Sequence, residues 1–556
     1  MIHRMRGGPK RRLPVSVPVA GITIAASTWR WDGNSGVVLV SSGFPLKPGQ
    51  VTSGNLARVR VYVDGTEKSV AIQPLRGTFT DGSYRSLGIQ FSHNLTNNTP
   101  ISSTVVIDTV ARYTGGSGAD LTWAEPTYIT GDAKVTSRAV IAPTDPAHLC
   151  GTRACGMPLI PASSDNAVVT AMHTTEATNR WTGGVSSGTS PGTAIYNHVQ
   201  GLFAMYCRTG TRSWYEAAYD WGLIFEGAQT NGWGLKIDYQ TSSDNTPTDI
   251  NPEGLQGQNG SNGKPAEALA VRAGGNFAAY MFTAYAQPRR WIEYVTRQVG
   301  LVVINTYAAF RDWCITTIYG PRLNLYGKGL EATVYGYQLE GTTAINDAGN
   351  DGGSNDPNYE QKFDWMLDAL DELKYNLGDY RDGMVGCRST VADEVETGGE
   401  VGQIPNFQIT LTADFLIALY AVRADSRIPT MLTILGDILI GQSRASNSGE
   451  DSYPDGWVAP YRTEETVPSS GLNGWTLPMH ANLFGWLYAY TANATYKTWG
   501  DRCLEPDNLT NLSFQTKIWG QCFGGQQQSY SYYREGGAVI AGPNPTTTPP
   551  LHATLG

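Results

Sequence analysis

"GLFAMYCRTGTRSWYEAAYDW" runs from Gly201 to Trp221, and "GWLYAYTANATYKTWGDRC" from Gly485 to Cys503. Each is an apolar run carrying aromatics, then a turn of Thr, Gly or Asn, then a second run that opens on Trp or Tyr. In "SWYEAAYDW", Trp214, Ala217, Ala218 and Trp221 share one face of a 3.6-residue period, and Ser213 with Glu216 has the spacing of a capping box. "GLFAMYCRTG" is apolar nearly all round, as a helix covered on both sides would be. The unit is therefore a helical hairpin, with a buried inner helix and an amphipathic outer one.

Three further stretches read the same way. Asp414 to Leu439 turns at Ala424-Asp425-Ser426, "GGNFAAYMFTAYAQPRRWIEYVTRQV" turns at Gln287-Pro288, and "KGLEATVYGYQLEGTTA" supplies another inner helix. In "EQKFDWMLDALDEL", Phe363, Met366, Leu367 and Leu370 make an outer-helix stripe, and Gly300 to Tyr319 has room for a sixth hairpin. Irregular repeats of roughly fifty to eighty residues suit an α/α toroid better than a regular solenoid, whose periods are shorter and stricter. Closing the ring covers the two ends that an open array leaves exposed.

The chain before this region follows another period. "GVVLVSS", "ARVRVYVDG", "SVAIQPL" and "STVVIDTVARY" are short, β-branched and bounded by Gly, Asp, Pro and Asn, the pattern of an all-β domain. Val59, Val61 and Val63 alternate toward one face, and Asp64-Gly65 has hairpin chemistry. The expected organisation is a basic arm over 1–12, a β-rich barrel-like domain over 13–160, a toroid of five to six helical hairpins over 161–505, and an irregular extension with a Pro/Thr tail over 506–556.

Two pieces of the β region carry a family resemblance. Gly43-Phe44-Pro45 precedes a strand, and Asp81-Gly82-Ser83 is followed by Leu87, Ile89 and Phe91 in alternation. The stretch from Gly43 to Phe91 resembles the N-terminal RIFT-type barrel of the exo-acting rhamnogalacturonan lyase family. That family usually has Trp just before "DGS", where this chain has Phe79 and Thr80. The resemblance implies a β-barrel followed by an α/α toroid, the order read independently above, and a polysaccharide-cleaving activity. It carries no catalytic residue onto this chain.

Composition narrows the function. The 556 residues are 41% hydrophobic and 16% charged, as in a globular protein of several domains. A net charge of −9 argues against nucleic acid as the main partner, and no run of apolar residues is long enough to span a membrane. Fifteen Trp and 29 Tyr suit stacking on sugar faces as well as core packing. The seven cysteines are scattered and odd in number, which implies neither a zinc site nor a disulfide framework. The start, with Arg4, Arg6, Lys10, Arg11 and Arg12, imitates a signal peptide, but Pro14 and Pro18 break its apolar run. It reads as an uncleaved basic arm that docks on a protein partner in a larger assembly. "NDAGNDGGSNDPNYE" places Gly349 and Asn358 where a calcium loop needs ligands, so it reads as a polar surface loop.

In a closed helical ring, the starts of the inner helices make a cup. Tyr196, Asn197 and His198 precede or open the first; Asn276 lies in the second; Arg322, Asn324, Tyr326 and Lys328 precede the third; Asn406 and Gln408 open the fourth; Trp475, His480 and Asn482 belong to the last. Eliminative cleavage of a uronate glycan needs a base for the α-proton, a neutraliser for the carboxylate and an acid for the leaving oxygen. His198, His480 and Tyr196 are the candidate catalytic groups; Trp475, Lys328, Arg322, Asn406 and Asn482 are the candidate substrate-binding groups. Arg, Asn or a divalent cation suits the carboxylate, and no other cofactor is called for. Hydrolysis needs two carboxylates across a cleft, and none stands among these positions. Two readings follow: a lyase-type glycan depolymerase carried on a phage particle, and a non-catalytic tail or capsid component that reuses the same scaffold.

Overall fold

The computed structural model describes residues 21–112, 122–124, 126, 138–165, 198–227, 273–286, 288–289, 292, 296, 331–341, 359–376, 406–442, 444–445, 457–458, 477–504 and 526–543. Within these residues the protein is a mixed β and α structure, with antiparallel sheets first and helices after.

The strands are β1 (Ile22–Arg30), β2 (Gly36–Pro45), β3 (Val59–Val63), β4 (Thr66–Glu67), β5 (Ala71–Pro74), β6 (Ser86–Leu95), β7 (Ile101–Ile107) and β8 (Ala139–Pro143). A five-stranded sheet has the order β4-β3-β7-β1-β8, and a three-stranded sheet the order β2-β6-β5. Val59, Val61 and Val63 are all fully buried, as their alternation requires, and they share one apolar core with Val40, Ile89, Phe91 and Val105. Asp64 and Gly65 both take positive φ, 49° and 70°, which matches the twist a two-residue hairpin needs. The "DGS" turn closes on itself: the Ser83 amide donates to Asp81 Oδ1 at 2.9 Å and the Phe79 amide to Ser83 O at 2.8 Å.

The helices are α1 (Pro146–Thr152), α2 (His198–Thr209), α3 (Arg212–Gly227), α4 (Ala273–Thr283), α5 (Glu331–Glu340), α6 (Tyr359–Asn376), α7 (Asn406–Tyr420), α8 (Arg427–Gln442), α9 (Leu477–Thr491), α10 (Ala494–Cys503) and the short α11 (Tyr530–Arg534). Three pairs are the expected hairpins: α2 with α3, α7 with α8, and α9 with α10. Phe363, Met366, Leu367 and Leu370 of α6 are fully buried.

A shared device ends three of the apolar helices. Thr209, Thr283 and Thr491 each donate from Oγ1 to the carbonyl four residues back, at 2.7, 2.6 and 2.7 Å. Each hydroxyl also accepts the amide two residues on, at 3.2, 3.3 and 3.1 Å. The residue between, Gly210, Ala284 or Ala492, turns left-handed with φ of 66°, 61° and 58°. This threonine stop is the repeated turn in the sequence. It also ends α4 at Thr283, short of the expected turn at Gln287-Pro288. α3 likewise begins at Arg212, one residue before the expected Ser213 cap, and Glu216 pairs with Arg212 at 2.8 Å.

The helices pack in chain order: α2 on α4, α4 on α5, α5 on α7, and α7 on α9. The β domain seats on α4, where Ser86 Oγ donates to Met281 O at 2.7 Å and the Tyr280 hydroxyl accepts the Arg76 amide at 2.8 Å. Gly43 allows that approach, since a Cβ there would lie 2.2 Å from Met281 O. α11 and the turn before it pack on α9, and Arg208 of α2 reaches Gln528 and Ser531 in that same segment. Residues 506–525 and 544–556 of the expected extension, and the arm over 1–12, lie outside the described residues.

Candidate functional site

α2, α4, α5, α7 and α9 are covered so completely that an apolar side chain is the cheap choice at nearly every position. A buried polar group there is unfavourable unless it is hydrogen-bonded. Polar residues nonetheless recur in their first turns or middles, and they form two networks.

The first joins α2 to α5. Gln200 Nε2 donates to Cys155 O at 2.7 Å and to the Tyr335 hydroxyl at 2.9 Å; that hydroxyl donates on to Glu331 Oε1 at 3.2 Å. Gln200 and Tyr335 are fully buried and Glu331 is 4% exposed. Burial, and then the Glu331 charge, hold the Tyr335 phenol well above its ordinary pKa, so it stays a donor. Two glycines make the room. A Cβ on Gly274 would fall 2.2 Å from Gln200 Oε1, and one on Gly156, whose φ is +76°, would fall 2.4 Å from the Tyr335 ring. The segment after α1 thus lies against α2 and α5 on the side where these polar groups meet.

The second network joins α7 to α9. Thr410 Oγ1 and His480 Nδ1 are 2.5 Å apart, and Asn482 Nδ2 donates to Asp414 Oδ1 at 3.1 Å. His480 Nε2, Asn482 Oδ1 and Gln200 Oε1 are buried with no hydrogen-bond partner. Burial pulls the His480 imidazole down to about 3, so it is neutral near pH 7.

His480 and Asn482 face different ways. Two residues apart on a helix means a rotation of about 200°. On the His480 side, Phe484 lies 6.3 Å from the Trp499 ring of α10, and Leu487 fills the space at Gly436 of α8. On the Asn482 side, Trp486 meets Tyr420 of α7 edge-on at 5.5 Å. His480 and Asn482 leave α9 in different directions, yet both reach α7, at Thr410 and at Asp414. Tyr533 of α11 packs on α9 at Gly485. Its phenol is raised by burial and by Tyr532; Arg153 opposes that shift and Asp414 adds to it, which puts both charges within electrostatic reach.

Of the residues expected from the sequence, His480 and Asn482 are both buried and both bonded to α7, on different faces of α9. His198 and Asn406 open α2 and α7, with side chains outside the described residues, as is that of Gln408. Tyr196, Asn197, Arg322, Asn324, Tyr326, Lys328 and Trp475 lie outside them altogether, as does most of the polar loop over 346–358. Asn276 is the one residue of α4 that is not fully buried. Two carboxylates on these helices were not among the helix-start residues singled out from the sequence: Glu331, the first residue of α5, and Asp414, within α7. A lone acid within "TADFLIALY" was the available signal for Asp414. Among the described residues, no three His, Cys, Asp or Glu side chains converge as metal ligands. The described cysteines are free and buried.

Compared with known proteins, the chain matches no family model, and no curated protein or solved structure shows significant similarity to it. The likeness to the rhamnogalacturonan lyase barrel rests on Gly43 to Phe91 alone.

Proposed function

We propose that the protein binds and cleaves a uronate-containing glycan by β-elimination, in a β-barrel-like domain followed by an α/α toroid. The toroid reading is supported by helices that pack in chain order and by a C-terminal segment that touches both α9 and α2. The activity rests chiefly on one observation: Asp414 and Asn482 are paired in an otherwise apolar layer, within one turn of Gly485, where Tyr533 packs on α9. Arginine and asparagine suit a uronate carboxylate, and a tyrosine suits the proton on the leaving oxygen. His198 and Tyr196 remain the candidate bases. The depressed pKa of His480 makes it a poor one near neutrality and a good packing residue.

The test is a panel of uronate glycans followed by the ultraviolet absorbance of unsaturated products. Activity on one of them should drop about 10²–10⁴-fold in Tyr533→Phe or His198→Ala, as loss of a proton-transfer group does. Sugar release without that absorbance would instead mark a hydrolase using Glu331 and Asp414.

A second reading is a non-catalytic tail or capsid component of a phage particle on the same scaffold. The neutral, packed His480 favours it. Under either reading the basic arm docks the chain in its assembly, so deleting residues 1–12 should leave folding intact and abolish incorporation. A protein that cleaves no glycan on the panel, yet requires the arm for incorporation, would establish the second reading.

A further inference from the structure

Most arginines described in this protein meet a carboxylate. Arg60 lies between Glu67 and Asp108, Arg208 against Asp165, Arg427 against Asp368 and Asp425, and Arg534 against Asp501. Arg85 and Arg153 do not. Arg85, just before β6, lays its guanidinium 4.5 Å over the Phe79 ring, and its Nε donates to Thr78 O at 3.1 Å. Its two terminal nitrogens have no acceptor among the described residues. The acid that acts on it, Asp81, is exposed and already accepts from Ser83 through Oδ1.

Arg153 caps α1 in the left-handed conformation, φ 53°, where glycine would be unstrained. Among the described residues its guanidinium makes no hydrogen bond or ion pair, so local backbone needs do not explain an arginine here. The Leu46 amide donates to Arg85 O at 2.9 Å, which sets Lys47 beside Arg85, and the Lys47 side chain runs onto Gly151, two residues before Arg153. Burial, and then repulsion from Arg153, bring Arg85 down to about 10. Lys47 is thus a third cation here, and a Cβ on Gly151 would fall 2.7 Å from its Cε. All three residues are half-buried, with the Arg85 guanidinium the most enclosed. The group sits where the β domain, α1, the end of α5 and α11 come together, since Gly77 places Arg85 beside Gln338 and Arg153 acts on Tyr533.

Like charges gathered at a half-buried junction, with the exposed Asp81 as the acid acting on Arg85, oppose folding, and an apolar or glycine residue would serve the fold better. Two guanidiniums with free donors are the chemistry that holds an oxyanion through several charge-assisted bonds. We propose that Arg85 and Arg153, with Lys47 beside them, form an oxyanion-binding site at the domain junction. The group bound is the carboxylate or ester sulfate of an acidic glycan, or a free phosphate. The first two sources rest on the glycan reading above; the last does not.

Calorimetric titration of the full chain tests it with four probes: oligogalacturonate, a sulfated chondroitin oligomer, a neutral galactan oligomer and inorganic phosphate. An acidic oligomer should bind well ahead of the neutral one, and Arg85→Gln and Arg153→Gln should each weaken it about tenfold or more, the usual loss for a charged hydrogen-bond partner. Binding of phosphate alone, with the same dependence on both arginines, would keep the site and discard the glycan reading. Glutamine variants that bind the acidic oligomers like the parent would discard the site and keep the glycan reading, whereas equal affinity for acidic and neutral oligomers would discard both. No anion binding at all would overturn the proposal. Unliganded Arg153→Gln should melt at or above the parent temperature, and a marked fall would make Arg153 structural and overturn it as well.

Discussion

Replacing Arg208 by methionine should destabilise this protein more than any single apolar truncation in the same helix. Arg208 and Asp165 form an ion pair whose side chains are 0% and 1% exposed. The same guanidinium donates to Ile160 O at 3.0 Å, Gln528 Oε1 at 3.3 Å and Ser531 Oγ at 3.4 Å. One side chain thus ties the segment after α1, the last turn of α2 and the C-terminal segment together. Removing it strands a buried carboxylate, for which the loss is about 3–5 kcal/mol. Replacing both partners, Arg208→Met with Asp165→Leu, removes the stranded charge as well, and such replacements are often neutral or stabilising. The double variant should therefore recover most of the loss. Urea midpoints read by tryptophan fluorescence give the cycle, and protease sensitivity of residues 526–534 reports whether that segment has come loose. A single variant within about 1 kcal/mol of the parent, below the range for any buried pair, would refute the reasoning. So would a double variant as unstable as the single one.

Two further outcomes are expected. Burial holds His148 at about 4 and His480 at about 3, below the ordinary 6.5, so the unfolded chain takes up protons that the folded one refuses. Stability should be fully present above pH 6.5 and fall as pH drops toward 4, by about 2 kcal/mol per histidine between pH 6.5 and 5. His480→Gln should remove half of that slope in denaturation midpoints taken across this range, and an unchanged slope would count against the burial. Gly156→Ala forces a side chain into positive φ and against the Tyr335 ring, so it should destabilise by more than about 1 kcal/mol in the same assay; a neutral result would mean the segment after α1 does not pack on α5.

What the sequence made legible was local and periodic. The inward run Val59, Val61, Val63, the Asp64-Gly65 turn and the stripe on α6 each follow from spacing within a dozen residues, and each is buried or turned as that spacing demands. β6 shows where such reasoning stops. Leu87, Ile89 and Phe91 alternate correctly, yet Ser86, Gly88 and Gln90 are buried too. The second face is covered by α4 and by the ring of Trp123, which a Cβ on Gly88 would strike at 2.3 Å. No period in β6 announces a partner from so far along the chain.

The same limit explains the site. His480 stood out as a rare residue near a helix start, but its neighbours decide what it does. Thr410, 70 residues away, holds one ring nitrogen, and the packed side it shares with Phe484 and Leu487 keeps the ring neutral. Asn482, two residues on, has the same sequence signal and a different face, where it meets Asp414. Arg153 and Tyr533 carried no periodic signal, because one caps a seven-residue helix and the other sits in a five-residue one. The polar groups worth testing are thus those whose presence the packing does not explain. Arg85, Arg153, Asp414 and Tyr533 meet that criterion, and His480 meets it in part, because Thr410 holds its Nδ1 while its buried Nε2 has no partner among the described residues.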